Sequence, residues 1–197
     1  IIIAFPNTWY SRLQPAGEFD NMPEITNEVN LMMDPSKADP NMPPPEKFGA
    51  NDVTDLGWTS IMGAYACTEC GRCTSECPAN ITGKKLSPRK IMMDTRDRAE
   101  ELGKAKDEHG ADYHDGKSLH DYISQEELLA CTTCNACVEA CPININPLEI
   151  IYQMRQYQTL EKSAMPSEWA MMNSNIENNQ APWQFSPADR ANWTKDM

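Results

Sequence analysis

The chain has 197 residues, 40% of them hydrophobic, with 15 prolines, 12 methionines and a formal net charge of −12. That length admits one compact domain with extensions or two small ones, and the composition leaves little for a large apolar core. The acidic balance argues against nucleic acid as a partner, because phosphate binding needs clustered Lys and Arg, and no run reaches the roughly 20 apolar residues of a membrane helix.

The chain opens IIIAFPNTWY, with no initiating Met. This reads as a processed or truncated start, or as the last turn of a helix that did span a bilayer. Residues 1–50 are rich in proline and asparagine, DPSKADPNMPPPEK above all, and read as an extended arm. A short helix around Met22–Met33 is the one periodic segment there. Trp9, Tyr10 and Phe19 are the arm's expected anchors.

From residue 51 to 163 the texture changes. Leu56, Ile61, Met62 and Tyr65 have helical spacing and lead into CTECGRCTSECP, residues 67–78. Then SPRKIMMDTRDRAEELG predicts a helix with Ser87 as N-cap, Pro88 at its first position and Gly103 as its stop. A charged loop, KAKDEHGADYHDGKSLHD, follows. It holds His109, His114 and His120, whose spacings match no tight metal geometry.

The scheme then repeats. SQEELLA carries a capping box, Ser124 with Glu127, and runs into CTTCNACVEACP, residues 131–142. NPLEIIYQMRQYQTLEK predicts another helix, with Asn146 as cap, Pro147 first and Glu149 completing a box. The middle is thus a mainly α internal duplication: helix, cysteine run, proline-initiated helix, twice over. CPANITGKKLSPRKI aligns with CPININPLEI once the first copy is allowed a five-residue insertion.

Residues 164–197 are polar and asparagine-rich, punctuated by Trp169, Trp183 and Trp193. Three tryptophans in a hydrophilic tail read as a docking strap or as a tail folded back on its own domain.

All eight cysteines lie in the two runs. No signal peptide precedes them and their spacing makes a poor disulfide scaffold, so a reducing, cytoplasmic compartment with free thiolates is expected. Zinc would accept any two CxxC pairs, but has no use for the third and fourth cysteines or for the following proline, twice. Iron–sulfur chemistry uses all of them: three cysteines serve one [4Fe–4S] cluster, and the fourth, before proline, ligates the other cluster of the pair. That rule assigns Cys67, Cys70, Cys73 and Cys141 to one cluster, and Cys131, Cys134, Cys137 and Cys77 to the second. Pro78 and Pro142 shape the loop exits. With every sulfur used, no catalytic residue is expected, and the two clusters are suited to outer-sphere electron transfer. Among charges within the first run, Arg72 is expected to raise the potential of its cluster.

ISQEELLACTTCNACVEACPI and YACTECGRCTSECPA resemble the cluster runs of heterodisulfide-reductase C- and D-type iron–sulfur subunits, a family of α-helical ferredoxins that bind two [4Fe–4S] clusters. The resemblance covers about residues 55–163. It implies an α-helical two-cluster ferredoxin with irregular extensions at both ends. NNQAPWQFSPADRANW resembles the D-type connector into cysteine-rich CCG domains, which implies a separate CCG-domain catalytic subunit as partner. FPNTWYSRLQPAGEFDN resembles the segment after the transmembrane helices of membrane-anchored bacterial relatives, which implies a membrane quinone-reactive partner and a place at the inner face of the cytoplasmic membrane. The expected function is an electron-transfer subunit of a membrane-associated oxidoreductase complex. The alternative, supported by the arm and tail, is an assembly module whose clusters only stabilise a partner-binding scaffold.

Overall fold

The two proline-initiated helices form as their start signals dictate. Ser87 accepts a hydrogen bond from the Lys90 amide, Asn146 accepts from the amides of Leu148 and Glu149, and Pro88 and Pro147 take the first helical positions. A computed structural model describes residues 2–10, 23–42, 47–189 and 191–195. Among these there are ten α-helical segments and no strand: α1 (Ala4–Tyr10), α2 (Pro23–Met33), α3 (Trp58–Ala66), α4 (Arg72–Ser75), α5 (Pro78–Ile81), α6 (Pro88–His109), α7 (Gln125–Ala130), α8 (Ala136–Glu139), α9 (Pro147–Gln156) and α10 (Ser167–Asn179). The chain divides into two compact units, Ile1–Tyr157 and Gln158–Met197.

In the first unit the buried stripes of α6 and α9 pack together in the core. Ile91, Met92, Thr95, Arg98 and Leu102 lie on one face of α6, and Leu148, Ile150, Ile151 and Met154 on one face of α9. Each large apolar side chain here contributes about 1.5–3 kcal/mol relative to exposure. The stripes are repeat-equivalent: Ile91, Met92 and Thr95 stand as far from Pro88 as Ile150, Ile151 and Met154 stand from Pro147.

Helix α3 meets this core through small residues. Ser60, Gly63, Ala64 and Ala66 are buried, whereas Ile61 and Met62 are half-buried and Tyr65 is exposed. The predicted apolar face is therefore displaced. A Cβ on Gly63 would touch Ile145 and Met92, so the small stripe is what brings α3 against α6.

Helix α6 also runs past its predicted stop. Gly103 lies in its interior, facing solvent, and the helix ends at Gly110 with φ 103°. A mid-helix glycine costs about 1 kcal/mol, less than Leu102, buried one residue earlier, gains by staying in place.

The arm read as irregular contributes two helices. Helix α1 packs on α3, and its buried Asn7 donates to the Ile143 carbonyl at 2.8 Å. Trp9 is exposed, so Asn7 anchors α1 and the tryptophan does not; the Tyr10 side chain and Phe19 lie outside the described residues. Helix α2 coincides with the segment expected at Met22–Met33. Its Asn27 exchanges two hydrogen bonds with the Asp39 backbone, at 2.7 and 3.3 Å. Ala50 donates to the Gln153 carbonyl at 3.0 Å, fastening the segment before α3 onto α9.

The charged loop between the repeats is held by Arg98 and by a Leu119 amide bond to the Asn51 carbonyl at 3.1 Å. His120 stacks on Tyr157 and His109 lies against Tyr113, and the three loop histidines form no metal-holding group among the described residues.

In the second unit, α10 ends at Gln180, in the left-handed region at φ 54°, and Asn175 donates to the Pro182 carbonyl. Trp169, Trp183, Phe185 and Trp193 are exposed.

Candidate metal centre

Each cysteine run is a loop that reverses on itself twice. Glu69 and Gly71 in the first, and Thr133 and Asn135 in the second, adopt positive φ at 57°, 80°, 56° and 63°. Glycine does so freely and asparagine readily. For Glu69 and Thr133 the left-handed conformation costs about 1–2 kcal/mol, kept because it aims the thiols inward. The amides of these two residues turn back on the first sulfur of their run, Thr133 donating to Cys131 Sγ at 3.4 Å and Glu69 to Cys67. Ile145 donates to Cys141 Sγ at 3.3 Å. One-turn helices α4 and α8 then carry Cys73 and Cys137.

Two clefts result. The first, of about 400 Å³ including its open mouth, is lined by Cys67, Cys70 and Cys73 with Cys137 and Cys141 from the other run. The second, about 330 Å³, is lined by Cys131, Cys134 and Cys137 with Cys77 from the first run. The walls correspond across the repeat. Met92, Pro142, Ile145 and Pro147 line the first, where Ile151, Pro78, Leu86 and Pro88 line the second. One lining pair differs in charge: Arg89 faces the first cleft and Leu148 the second. Arg72, expected to be the charge at the first site, is exposed and does not line it.

Burial is graded. Cys77 and Cys137 are buried, Cys70 and Cys134 exposed, and the other four intermediate. Burial raises the pKa of the Cys67 thiol, and Cys141, Glu69 and Cys70 add to the rise. Cys73 and Cys131 are raised for the same first reason, with Arg155 pulling Cys131 partly back. Burial, reinforced by Cys131, Cys73, Cys77 and Cys134, pushes Cys137 up to about 12. Thiols so disfavoured as bare anions need a cation to ionise them, which couples metal binding to proton release.

The donor set fits iron–sulfur clusters. Five thiols line the first cleft and four the second, Cys137 being common to both, and among the described residues no carboxylate or imidazole lines either. No three His, Cys, Asp or Glu side chains among the described residues converge as a single metal ion requires. A cluster places no such demand, since each of its thiolates takes a different iron.

Charged residues outside the runs also reach these loops, and single-stretch reading missed them. In the first repeat Arg96 holds the Glu69 carboxylate at 2.8 Å. In the second, Arg155 donates from Nε to the Leu128 carbonyl at 2.8 Å and from Nη2 to the Cys131 carbonyl at 2.5 Å. Arg96 and Arg155 are equally spaced from Pro88 and Pro147, so aligning the two helices would have flagged them. Lys90 bridges Asp94 at 2.6 Å and Glu127 at 3.0 Å, tying α6 to α7 beside the second run.

Comparison with known proteins agrees with this chemistry. Residues 66–145 match the 4Fe–4S dicluster domain family. The chain is 35% identical to a probable membrane-anchored ferredoxin of Chromohalobacter salexigens, over 76% of this chain and 24% of that protein. It is 30% identical to an EtfAB:quinone oxidoreductase of Syntrophomonas wolfei, over 78% and 24%. It is 27% identical to a heterodisulfide reductase C-like protein of Archaeoglobus profundus, over 73% and 61%. The chain thus spans about a quarter of the first two relatives. The mainly α fold and the cofactor, two [4Fe–4S] clusters, stand as expected. Residues 66–145 belong to the 4Fe–4S dicluster domain family, and the chain is similar to the iron–sulfur subunits of heterodisulfide reductase C type.

Proposed function

We propose that the chain relays electrons through two [4Fe–4S] clusters within a larger, membrane-associated oxidoreductase and carries no catalytic site of its own. One cluster is held by Cys67, Cys70, Cys73 and Cys141, the other by Cys131, Cys134, Cys137 and Cys77. The observation that carries this reading is the pair of repeat-related clefts, each lined by three cysteines of one run and the fourth of the other, with Cys137 lining both. When bound, the clusters supply one-electron chemistry with no bond made to a substrate. The chain's residues do the rest. Met92, Ile145, Leu148 and Ile151 exclude water, backbone amides donate to the sulfurs, and exposed Cys70 and Cys134 mark the edges nearest a partner.

The partners of this reading are a CCG-domain catalytic subunit and a membrane quinone-reactive subunit. The tail, with Trp183, Phe185 and Trp193 exposed, serves as the docking strap. The site of action is the inner face of the cytoplasmic membrane. Support for it comes from the names of the membrane-anchored ferredoxin and the quinone oxidoreductase; no helix among the described residues is long and apolar enough to cross a membrane.

Iron and sulfide analysis with reductive EPR tests the reading. The expected result is about eight irons per chain and two interacting paramagnetic centres on dithionite reduction. Redox-silent metal would sink the relay and favour the scaffold role.

A further inference from the structure

The two repeats place an arginine at the same helical position and then treat it differently. Arg96 of α6 lies against the Glu69 carboxylate at 2.8 Å, with Asp97 also in contact at 3.1 Å. Thr133 is the residue equivalent to Glu69 in the second run, and it has no carboxylate to offer. Arg155 of α9 instead turns its guanidinium onto the carbonyls of Leu128 and Cys131, so its charge sits on the backbone of the first ligand of that run.

We infer that Arg155 is a potential-setting residue for the cluster of Cys131, Cys134, Cys137 and Cys77, and that Glu69 cancels the same effect of Arg96 at the other cluster. The inference rests on the two-cluster reading above. Its physical basis is that reduction adds one negative charge to an already anionic site. A nearby fixed cation stabilises the reduced form and raises the potential, more strongly where protein displaces water. Burial of Cys77 and Cys137 works the other way at the second site, because a desolvated cluster resists added charge; Arg155 offsets that. Arg89 lines the first cleft where Leu148 lines the second. It is a separate positive contribution there, left in place in the variants below.

An EPR-monitored redox titration of the protein carrying both clusters tests this. The iron and sulfide count comes first: wild type without two reducible centres fails the two-cluster reading itself. With both present, Cys134→Ser identifies the second centre by perturbing its signal. Arg155→Gln should then shift that centre's reduction equilibrium about tenfold toward the oxidised form, about 59 mV for one electron, and leave the first centre in place. Arg155→Lys, which keeps the charge, should stay near wild type. Glu69→Gln, which keeps the shape and removes the charge, should favour reduction of the first centre about threefold. The inference is overturned if Arg155→Gln titrates as wild type, if Arg155→Lys shifts as far as Arg155→Gln, or if Glu69→Gln leaves the first centre unmoved. Should Arg155→Gln fail to retain iron, a shift of about 59 mV at the second centre of Arg155→Lys, or an unmoved first centre in Glu69→Gln, overturns the inference.

Discussion

Arg98 grips Asp52 with two nitrogens, Nη2 at 2.6 Å and Nε at 3.0 Å, from a position where its own side chain sees almost no solvent. The same guanidinium holds Asp115 at 2.5 and 2.9 Å and the Lys117 carbonyl at 2.9 Å. One residue of α6 thereby fastens the segment before the first cysteine run and the loop before the second. Arg98→Met would leave two largely buried carboxylates without their cation. A loss of about 3–5 kcal/mol is expected in denaturant unfolding of the cluster-loaded protein. A loss under about 1 kcal/mol would mean that the network is dispensable.

Lys90 supplies a prediction in the alkaline range. Burial works against its charge, but hydrogen bonds to Asp94 and Glu127 outweigh burial and hold its pKa above the ordinary lysine range. A raised cationic pKa contributes stability that is complete below the unfolded value, about 10.5, and lost as pH climbs through the folded one. Unfolding free energy should thus fall more steeply above about pH 10.5 in wild type than in Lys90→Met. Parallel curves would refute the bridge.

Gly49 tests how closely the arm is fitted to α9. It has φ 69°, and a Cβ there would lie 2.2 Å from the Gln153 carbonyl oxygen and 2.5 Å from the Tyr157 nitrogen. Gly49→Ala should cost well over the about 1–2 kcal/mol of the left-handed conformation alone. Gly83, with φ 82° and open space around it, is the control: Gly83→Ala should cost only that conformational share. Equal thermal shifts for the two variants would show that the arm is not seated on α9.

The crossed ligand sets proposed above predict how single serine variants group. Cys141→Ser and Cys67→Ser should alter one EPR signal, and Cys77→Ser and Cys131→Ser the other. If Cys77→Ser grouped with Cys67→Ser, each run would be serving its own cluster alone. Removing the metal by chelation under oxidation should also broaden thermal unfolding, because α4 and α8 are single turns that cannot hold themselves in water.

Much of this protein is local chemistry, and local chemistry is readable in order along the chain. The cysteine gaps with their trailing prolines named the cofactor, and Ser87–Pro88, Ser124 with Glu127, and Asn146–Pro147 marked helix starts that form as expected, because caps and spacings act within a few residues. Tertiary structure decided what depends on residues distant in sequence. It selected the small face of α3 over Ile61 and Tyr65, carried α6 beyond Gly103, folded the arm's first turn around Asn7, and put Arg89, Arg96 and Arg155 beside the clefts in place of Arg72. Such choices are settled by which surfaces meet and which charges must be paired once water is excluded, and a linear pattern does not contain that geometry.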